Sequence, residues 1–362
     1  MRSLLKRLLS AERRESIKKW LGEFDRNLLP FFAKSRWLSS LYYLFFSREF
    51  AREHQAVLKG RISYYRAQAN KQSSSVMLRR NTHRLEKGLI MRPQRDIFAQ
   101  GYISETVDCF VQCERAGTLN AGEKKWAKDV LTRYFSVVGS SDVIDRAKKE
   151  FFAVADNQNS ECTQSNKEQQ SIPYEHKDIV RSDVSIEQFK QLCIQRRSVR
   201  WYEEKAVPRE LVEQAMTAAT LAPSACNRQP FEFFVFDKPT DAQEIGDIAM
   251  GTVGFSHNFQ CMLVVVGDLA AYPFERDRHV IYIDGSLASM QLMLALETLG
   301  LSSCVINWPD VEPLEKRMEH KLQLPPNKRP LMLISVGYAD KSGKIPFSDK
   351  KTPQQLIKEV SL

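Results

Sequence analysis

The chain has 362 residues, 43% hydrophobic and 10% aromatic, which is the make-up of a globular protein with more length than one core usually needs. Its net charge of +9 is concentrated at one end, since residues 1–100 hold 22 Lys and Arg against 8 Asp and Glu. Seven scattered cysteines, an odd number with no CxxC pair, exclude a disulfide framework and fit a reducing compartment.

The first residues, Met1-Arg2-Ser3-Leu4-Leu5-Lys6-Arg7, break their apolar run with cations, so they do not form a secretory signal. Nowhere do about 18 uncharged apolar residues follow one another, which leaves no ordinary membrane-spanning helix. Residues 4–28 predict an amphipathic helix. Ile17, Trp20, Leu21, Phe24 and Leu28 repeat at helical spacing, and Pro30 interrupts them. The aromatic stretch that follows, Phe31-Phe32 and then Trp37 to Phe46, is flanked by Lys34 and Arg36. It suits a helix lying among lipid headgroups, or one packed on its own domain. Residues 1–60 thus read as a basic amphipathic segment whose candidate partner is an anionic membrane surface. No motif spacing supports nucleic acid.

Residues 61–154 predict a helical domain. Arg79 to Leu89 is dense in charge, with Glu86 among the cations; it reads as a solvated helix face or as an anion site, with Gly88 as a helix end. Two further helices should be broken near Gly117–Gly122 and near Gly139. Cys109 and Cys113 share a helix face, as small buried residues with no second pair of metal ligands nearby. Residues 155–180 are too polar to order themselves and read as a linker.

Residues 181–362 change character. Ser185 and Gln188 form a capping box for a helix ending near Gln195. Pro208 opens another helix, with Leu211, Val212, Ala215, Ala218 and Ala219 on one face. Strands are predicted at 231–236, 261–266, 302–306 and 331–336, a long apolar helix at 286–299, and a charged helix at 312–324. Mixed in this order, they predict an α+β fold.

Two motifs carry the chemistry. One is Arg196-Arg197-Ser198-Val199-Arg200, directly after the first of these helices; guanidinium forks and a hydroxyl suit phosphate oxygens. The other is Pro223-Ser224-Ala225-Cys226-Asn227-Arg228-Gln229-Pro230, which runs into the strand at 231–236. In this order and spacing they resemble the FMN-dependent nitroreductase-like flavoproteins, over about residues 185–362. The resemblance implies an antiparallel-rich sheet flanked by helices, here preceded by the mainly α-helical N-terminal part.

The resemblance also implies roles. Arg196, Arg197 and Ser198 would hold the FMN phosphate and ribityl chain, and Arg200 would lie toward the N1–C2 edge, which gains negative charge on reduction. Pro223, Ser224 and Ala225 would set backbone against the ring, and Asn227 and Gln229 side-chain amides near it. Val305 and Ile306 would sit near N5, with Asn307 at the edge. Trp308 would cap the pocket or belong to the core. Lys350 and Lys351 match a basic pair that reaches back to the phosphate, although lysine is a point charge and not a fork; a solvated loop is the other reading. Family members are homodimers with FMN at the subunit interface.

No acid, base or nucleophile constellation stands out, which fits a protein whose cofactor carries the chemistry. Nor is there a glycine-rich dinucleotide fingerprint, so NADH or NADPH would be a transient electron donor stacked over the flavin. The expectation is an FMN-dependent oxidoreductase passing hydride from NAD(P)H through FMN to a small electron-poor acceptor. It would be cytoplasmic, with peripheral attachment at the inner membrane surface through residues 1–60. The alternative is a membrane-surface adaptor whose flavin domain binds or senses with little turnover.

Overall fold

The run Cys261-Met262-Leu263-Val264-Val265-Val266 has no alternation, and the reason is its place in the middle of a sheet covered on both faces. In the computed structural model, which describes residues 11–69, 75–155 and 170–361, it forms strand β2 (Cys261–Asp268). Cys261, Leu263 and Val265 enter one core, and Met262, Val264 and Val266 another. β1 (Phe231–Phe236), β3 (Ser302–Asn307) and β4 (Lys328–Gly337) complete a four-stranded sheet in the order β1-β2-β4-β3, with every pairing antiparallel.

The described residues divide into two compact units between Gln55 and Ala56. The first contains α1 (Ala11–Phe32) and α2 (Arg36–Phe45). The expected break at Pro30 is absent: α1 runs through it to Phe32. A proline so close to a helix end removes a single donor, and Ala33 N–H still reaches the Leu29 carbonyl at 2.9 Å. The first residues of that expected helix, 4–10, lie outside the described residues, as do 156–169 of the expected linker.

The second unit contains the sheet and eleven helices among the described residues. α3 (Ala51–Ala69) enters it from Ala56, followed by α4 (Ser75–Leu89), α5 (Ile103–Ala116), α6 (Ala121–Val137) and α7 (Asp142–Ala155). α4 to α7 share a core that includes Leu78, Leu85, Phe110, Leu131, Tyr134 and Phe151, all fully buried. Cys109 and Cys113 lie in it, and no metal-binding cluster occurs among the described residues. Gly88 lies in the last turn of α4, one residue before its end at Leu89, and a Cβ there would meet the Phe98 ring.

α8 (Ile186–Gln195) starts at the Ser185–Gln188 capping box. α9 (Arg209–Ala219) buries Val212, Ala215 and Ala219 on the first face of the sheet, beside α11 (Val280–Thr298). α10 (Pro239–Gly246) and α12 (Glu312–Leu322) cover the second face. By length and composition the stretch 275–298 is apolar enough to cross a membrane, but Ile281, Ala288, Leu292 and Leu296 of α11 are fully buried within the domain. α13 (Pro353–Leu356) lies near the C-terminus. Trp308 belongs to the second core, where its indole N–H donates to Glu315 at 2.6 Å.

Candidate active site

The arginine segment leaves α8 and runs beside the free edge of β3. Ser198 forms a parallel bridge with Ser303, and Val199 N–H donates to the Ser303 carbonyl at 3.0 Å. Tyr202 fixes the far end: its hydroxyl, buried inside the sheet, donates to the Val199 carbonyl at 2.8 Å and lies 2.8 Å from the Ser335 hydroxyl. Burial pushes that phenol's pKa well up, so it stays neutral and keeps its proton for this bond. Asn258 ties down the bend between, accepting from Tyr202 N–H at 2.9 Å and donating to the Arg200 carbonyl at 3.0 Å.

Such a stapled backbone presents its side chains in fixed directions. Arg197 donates to the carbonyls of Pro346 (2.8 Å) and Phe347, so the loop that carries exposed Lys350 and Lys351 is tied to this segment. The Arg200 guanidinium lies 5.9 Å from the Phe255 ring and makes a long 3.4 Å contact to the Ser198 carbonyl. Arg196 Nε and Ser303 Oγ are buried donors with no partner. Two buried donors left unsatisfied, one on the arginine segment and one on the strand it is bridged to, are costly unless a ligand accepts from them, and a phosphate would. On this test the residues present fit FMN. Glu297, at the end of α11, also has an unpartnered oxygen; burial raises its pKa, opposed by Gln195, Ser302 and Arg196.

Because the folded pKa of Glu297 lies above its ordinary value, folding favours the protonated carboxyl. Its contribution to stability is therefore greatest below the ordinary carboxylate pKa of 4.5 and is lost as pH rises through the raised value. Glu297→Gln should flatten that part of the stability-against-pH curve, measured by thermal melts from acid to neutral pH; an unchanged slope would refute the assignment.

The second motif forms a loop of unusual backbone. Cys226, Asn227 and Gln229 all have φ near +50°, a region that side-chain-bearing residues seldom adopt. Four ties hold it there. Ala225 N–H donates to Asp284 at 2.9 Å, Gln229 N–H to the Ser224 hydroxyl at 3.0 Å, the Gln229 side chain to the Thr220 carbonyl at 3.0 Å, and Arg79 of α4 to the Asn227 carbonyl at 3.0 Å. Arg79 is in turn positioned by Glu123 (3.4 Å) and by the Trp126 ring (5.4 Å). The charged run in α4 is thus neither a solvated face nor a free anion site: Arg80 donates to Tyr64, Asn81 to Glu105, Arg84 lies over the Tyr102 ring, and Glu86 accepts from Trp126. Removing Arg79 would leave Glu123 buried without its cation. Arg79→Ala should cost about 3 kcal/mol, judged by the 1.5–3 kcal/mol typical of one charged hydrogen bond plus the orphaned carboxylate. Chemical melts should show that loss, and hydrogen exchange should quicken at 225–229; wild-type protection there would contradict the clamp.

Of the β3 positions, Val305 and Asn307 are exposed on one face, whereas Ile306 turns its side chain into the second core. Pro223 is exposed and Ser224 half-buried at the loop's entrance. The structure brings the arginine segment, β3 and the 346–351 loop together. It does not bring the 223–229 loop to them within one chain. Gln195 contacts Glu297 at 3.4 Å and Ala225 contacts Asp284, and those two anchors are thirteen positions apart along α11, about 20 Å at 1.5 Å per residue.

Sequence reasoning missed Asp284, Arg79 and Ser303. Asp284 carried a signal: it is the sole charged residue of α11 before Glu297. Burial raises its pKa, against the lowering effect of the Ala225 N–H, the Tyr272 hydroxyl and Arg228.

A sheet of this order flanked by helices, with arginines stapled to its edge, defines an α+β domain suited to an anionic cofactor. Residues 194–256 and 251–338 match the nitroreductase family, and this part of the chain is a nitroreductase-family domain. An Archaeoglobus fulgidus protein provisionally named an NADH dehydrogenase/NAD(P)H nitroreductase is 29% identical over 48% of this chain and 99% of its own. An iodotyrosine deiodinase from Haliscomenobacter hydrossis is 25% identical over 45% of this chain and 85% of its own. Among solved structures, an FMN-dependent nitroreductase from Clostridium difficile R20291 is 24% identical, covering 47% of this chain and 98% of that one, with a TM-score of 0.40.

Proposed function

We propose that the chain is an FMN-dependent oxidoreductase that takes hydride from NADH or NADPH and delivers it to a small electron-poor acceptor. The observation that carries this reading is the pair of buried, unpartnered donors: Arg196 Nε on the arginine segment, and Ser303 Oγ on the β3 strand to which that segment is bridged. FMN would supply the two-electron chemistry, which the protein's own side chains lack. Arg196, Arg197, Ser198 and Ser303 would hold its phosphate, with Lys350 and Lys351 adding charge from the tied loop. Arg200 would face the N1–C2 edge. Val305, Asn307 and the backbone of Ile306 would line the ring from β3; Pro223, Ser224, Ala225, Asn227 and Gln229 would line it from the loop.

A homodimer is part of the proposal. The two motifs lie at opposite ends of α11 in one chain, and a second copy related by a two-fold axis would set the loop of one against the arginines of the other. The relatives' names differ in reaction, and fold does not choose among acceptors.

The test is direct. Purified protein should be yellow or should take up FMN with a rise in melting temperature, and should oxidise NADH or NADPH once an acceptor is present. Colourless protein that is indifferent to FMN would sink the reading. Flavin that stays oxidised under excess NADH and NADPH would favour the adaptor alternative. Within the reading, Arg200→Ala should slow flavin reduction about 10²-fold, the loss typical of one donor to a developing anion. Stopped-flow traces at 450 nm (about that wavelength for oxidised flavin) would check it, and an unchanged rate would remove Arg200 from its role.

A further inference from the structure

The first unit exposes what a globular domain normally hides. α1 and α2 form a hairpin held by Tyr42, whose hydroxyl bonds Asp25 and whose ring packs 5.5 Å from Phe32, and by the Ser39 hydroxyl, which donates to the Phe32 carbonyl at 3.1 Å. Those contacts use one side of α2. The other side presents Trp37, Leu44 and Phe45, at i, i+7 and i+8 on one helical face, with exposures of 68%, 64% and 72%. Phe31 and Phe46 are more than half exposed beside them, and so is Trp20 on α1. Isolated exposed apolar side chains are ordinary, but a cluster of aromatic rings at the surface marks an interaction site.

The charges along the turn and α2 have one sign. From residue 26 to residue 48 the chain carries Arg26, Lys34, Arg36 and Arg48 and not one Asp or Glu. Lys34 lies 5.7 Å from the Phe31 ring at the turn of the hairpin. Seven of the same 23 residues are aromatic, and cations beside Trp, Tyr and Phe are what the headgroup layer of a bilayer accommodates. A second copy of the face fits less well. Two-fold pairing would set its cations against one another, and like charges brought together oppose association. Neither helix is both long and apolar enough to span a bilayer: α1, with 22 residues, carries nine charged side chains, and α2 has 10 residues, about 15 Å at 1.5 Å per residue.

We infer that the α1–α2 hairpin is a peripheral membrane anchor, which inserts Trp37, Leu44 and Phe45 among lipid headgroups and pairs Lys34, Arg36 and Arg48 with anionic lipids. The inference stands apart from the flavin chemistry and survives if that fails.

The experiment uses the full chain with sedimenting vesicles of phosphatidylcholine alone or mixed with phosphatidylglycerol. The protein should pellet with the anionic vesicles, and added salt should weaken the binding. Replacing Lys34 and Arg36 by Ala should lower the partition coefficient about fivefold for each cation removed. Trp37→Glu combined with Phe45→Glu should abolish pelleting without lowering the melting temperature, since both positions are exposed. No pelleting with either vesicle would overturn the inference. So would equal pelleting with phosphatidylcholine alone that ignores salt and the Lys34/Arg36 variant. An oligomer that Trp37→Glu/Phe45→Glu dissolves, with no vesicle binding, would give the face to a second copy and overturn it as well.

Discussion

FMN should bind the Arg196→Ala/Arg197→Ala protein at least about 10²-fold more weakly than the wild type, since each charged hydrogen bond to a phosphate is worth about 1.5–3 kcal/mol. The two arginines fail differently. Arg196 has a buried Nε with no acceptor, so its removal loses a donor already in place for the ligand. Arg197 spends part of its fork on the Pro346 and Phe347 carbonyls, so its removal also frees the loop bearing Lys350 and Lys351. Flavin fluorescence titration would give the dissociation constants of the wild type, the two single variants and the double variant. Arg197→Lys separates the effects, because a lysine keeps the charge but cannot bridge two carbonyls and a phosphate together. A double variant that holds FMN as tightly as the wild type would mean that the phosphate lies elsewhere.

The largest expected loss of stability comes from a carboxylate remote from that site. Glu315 on α12 is 2% exposed and lies 3.4 Å from Arg329 on β4, itself 3% exposed, while Asp310 reaches the same guanidinium at 2.6 Å from the surface. Burial raises the Glu315 pKa, and Arg329 and the Trp308 indole oppose that rise. Glu315→Ala would strand a guanidinium that still has an unpartnered Nε, and would leave the indole N–H without an acceptor. Breaking a buried pair from one side costs about 3–5 kcal/mol. In a domain of this size the melting temperature should fall by roughly 10 °C. A fall of less than about 2 °C would show that Asp310 alone neutralises Arg329.

Much of the second unit could be read from residue order. Strands β1 to β4 declared themselves as short apolar runs bounded by Gly, Pro and Asp, and α8 by its Ser185–Gln188 box. Local signals sufficed because each element's pattern already names the faces it buries. What stayed hidden was contact between residues remote in sequence. Nothing near Arg79 says that its guanidinium meets a carbonyl 148 residues away, and nothing near Ser303 says that its backbone pairs with the arginine segment. Pro30 misled because a breaker's effect depends on how near the helix end it falls. Gly88 marked the end of its helix to within one residue, but the nearness of Phe98, ten residues further along the chain, was not legible. Trp308 left two readings open, because its partner Glu315, which accepts a hydrogen bond from the indole N–H, is set by the fold and not by the residues beside it.

The Arg79–Asn227 tie changes how the helical part of the chain should be regarded. A tail hung on an otherwise complete enzyme could be trimmed at the polar stretch before residue 180 without consequence. Here the trimmed remainder would lose the hand that steadies three left-handed residues, and also Ala56 and Val57, which fill the sheet's first core. The C-terminal half is therefore no minimal enzyme carrying an accessory. Its helices are part of the scaffold against which its loop takes shape.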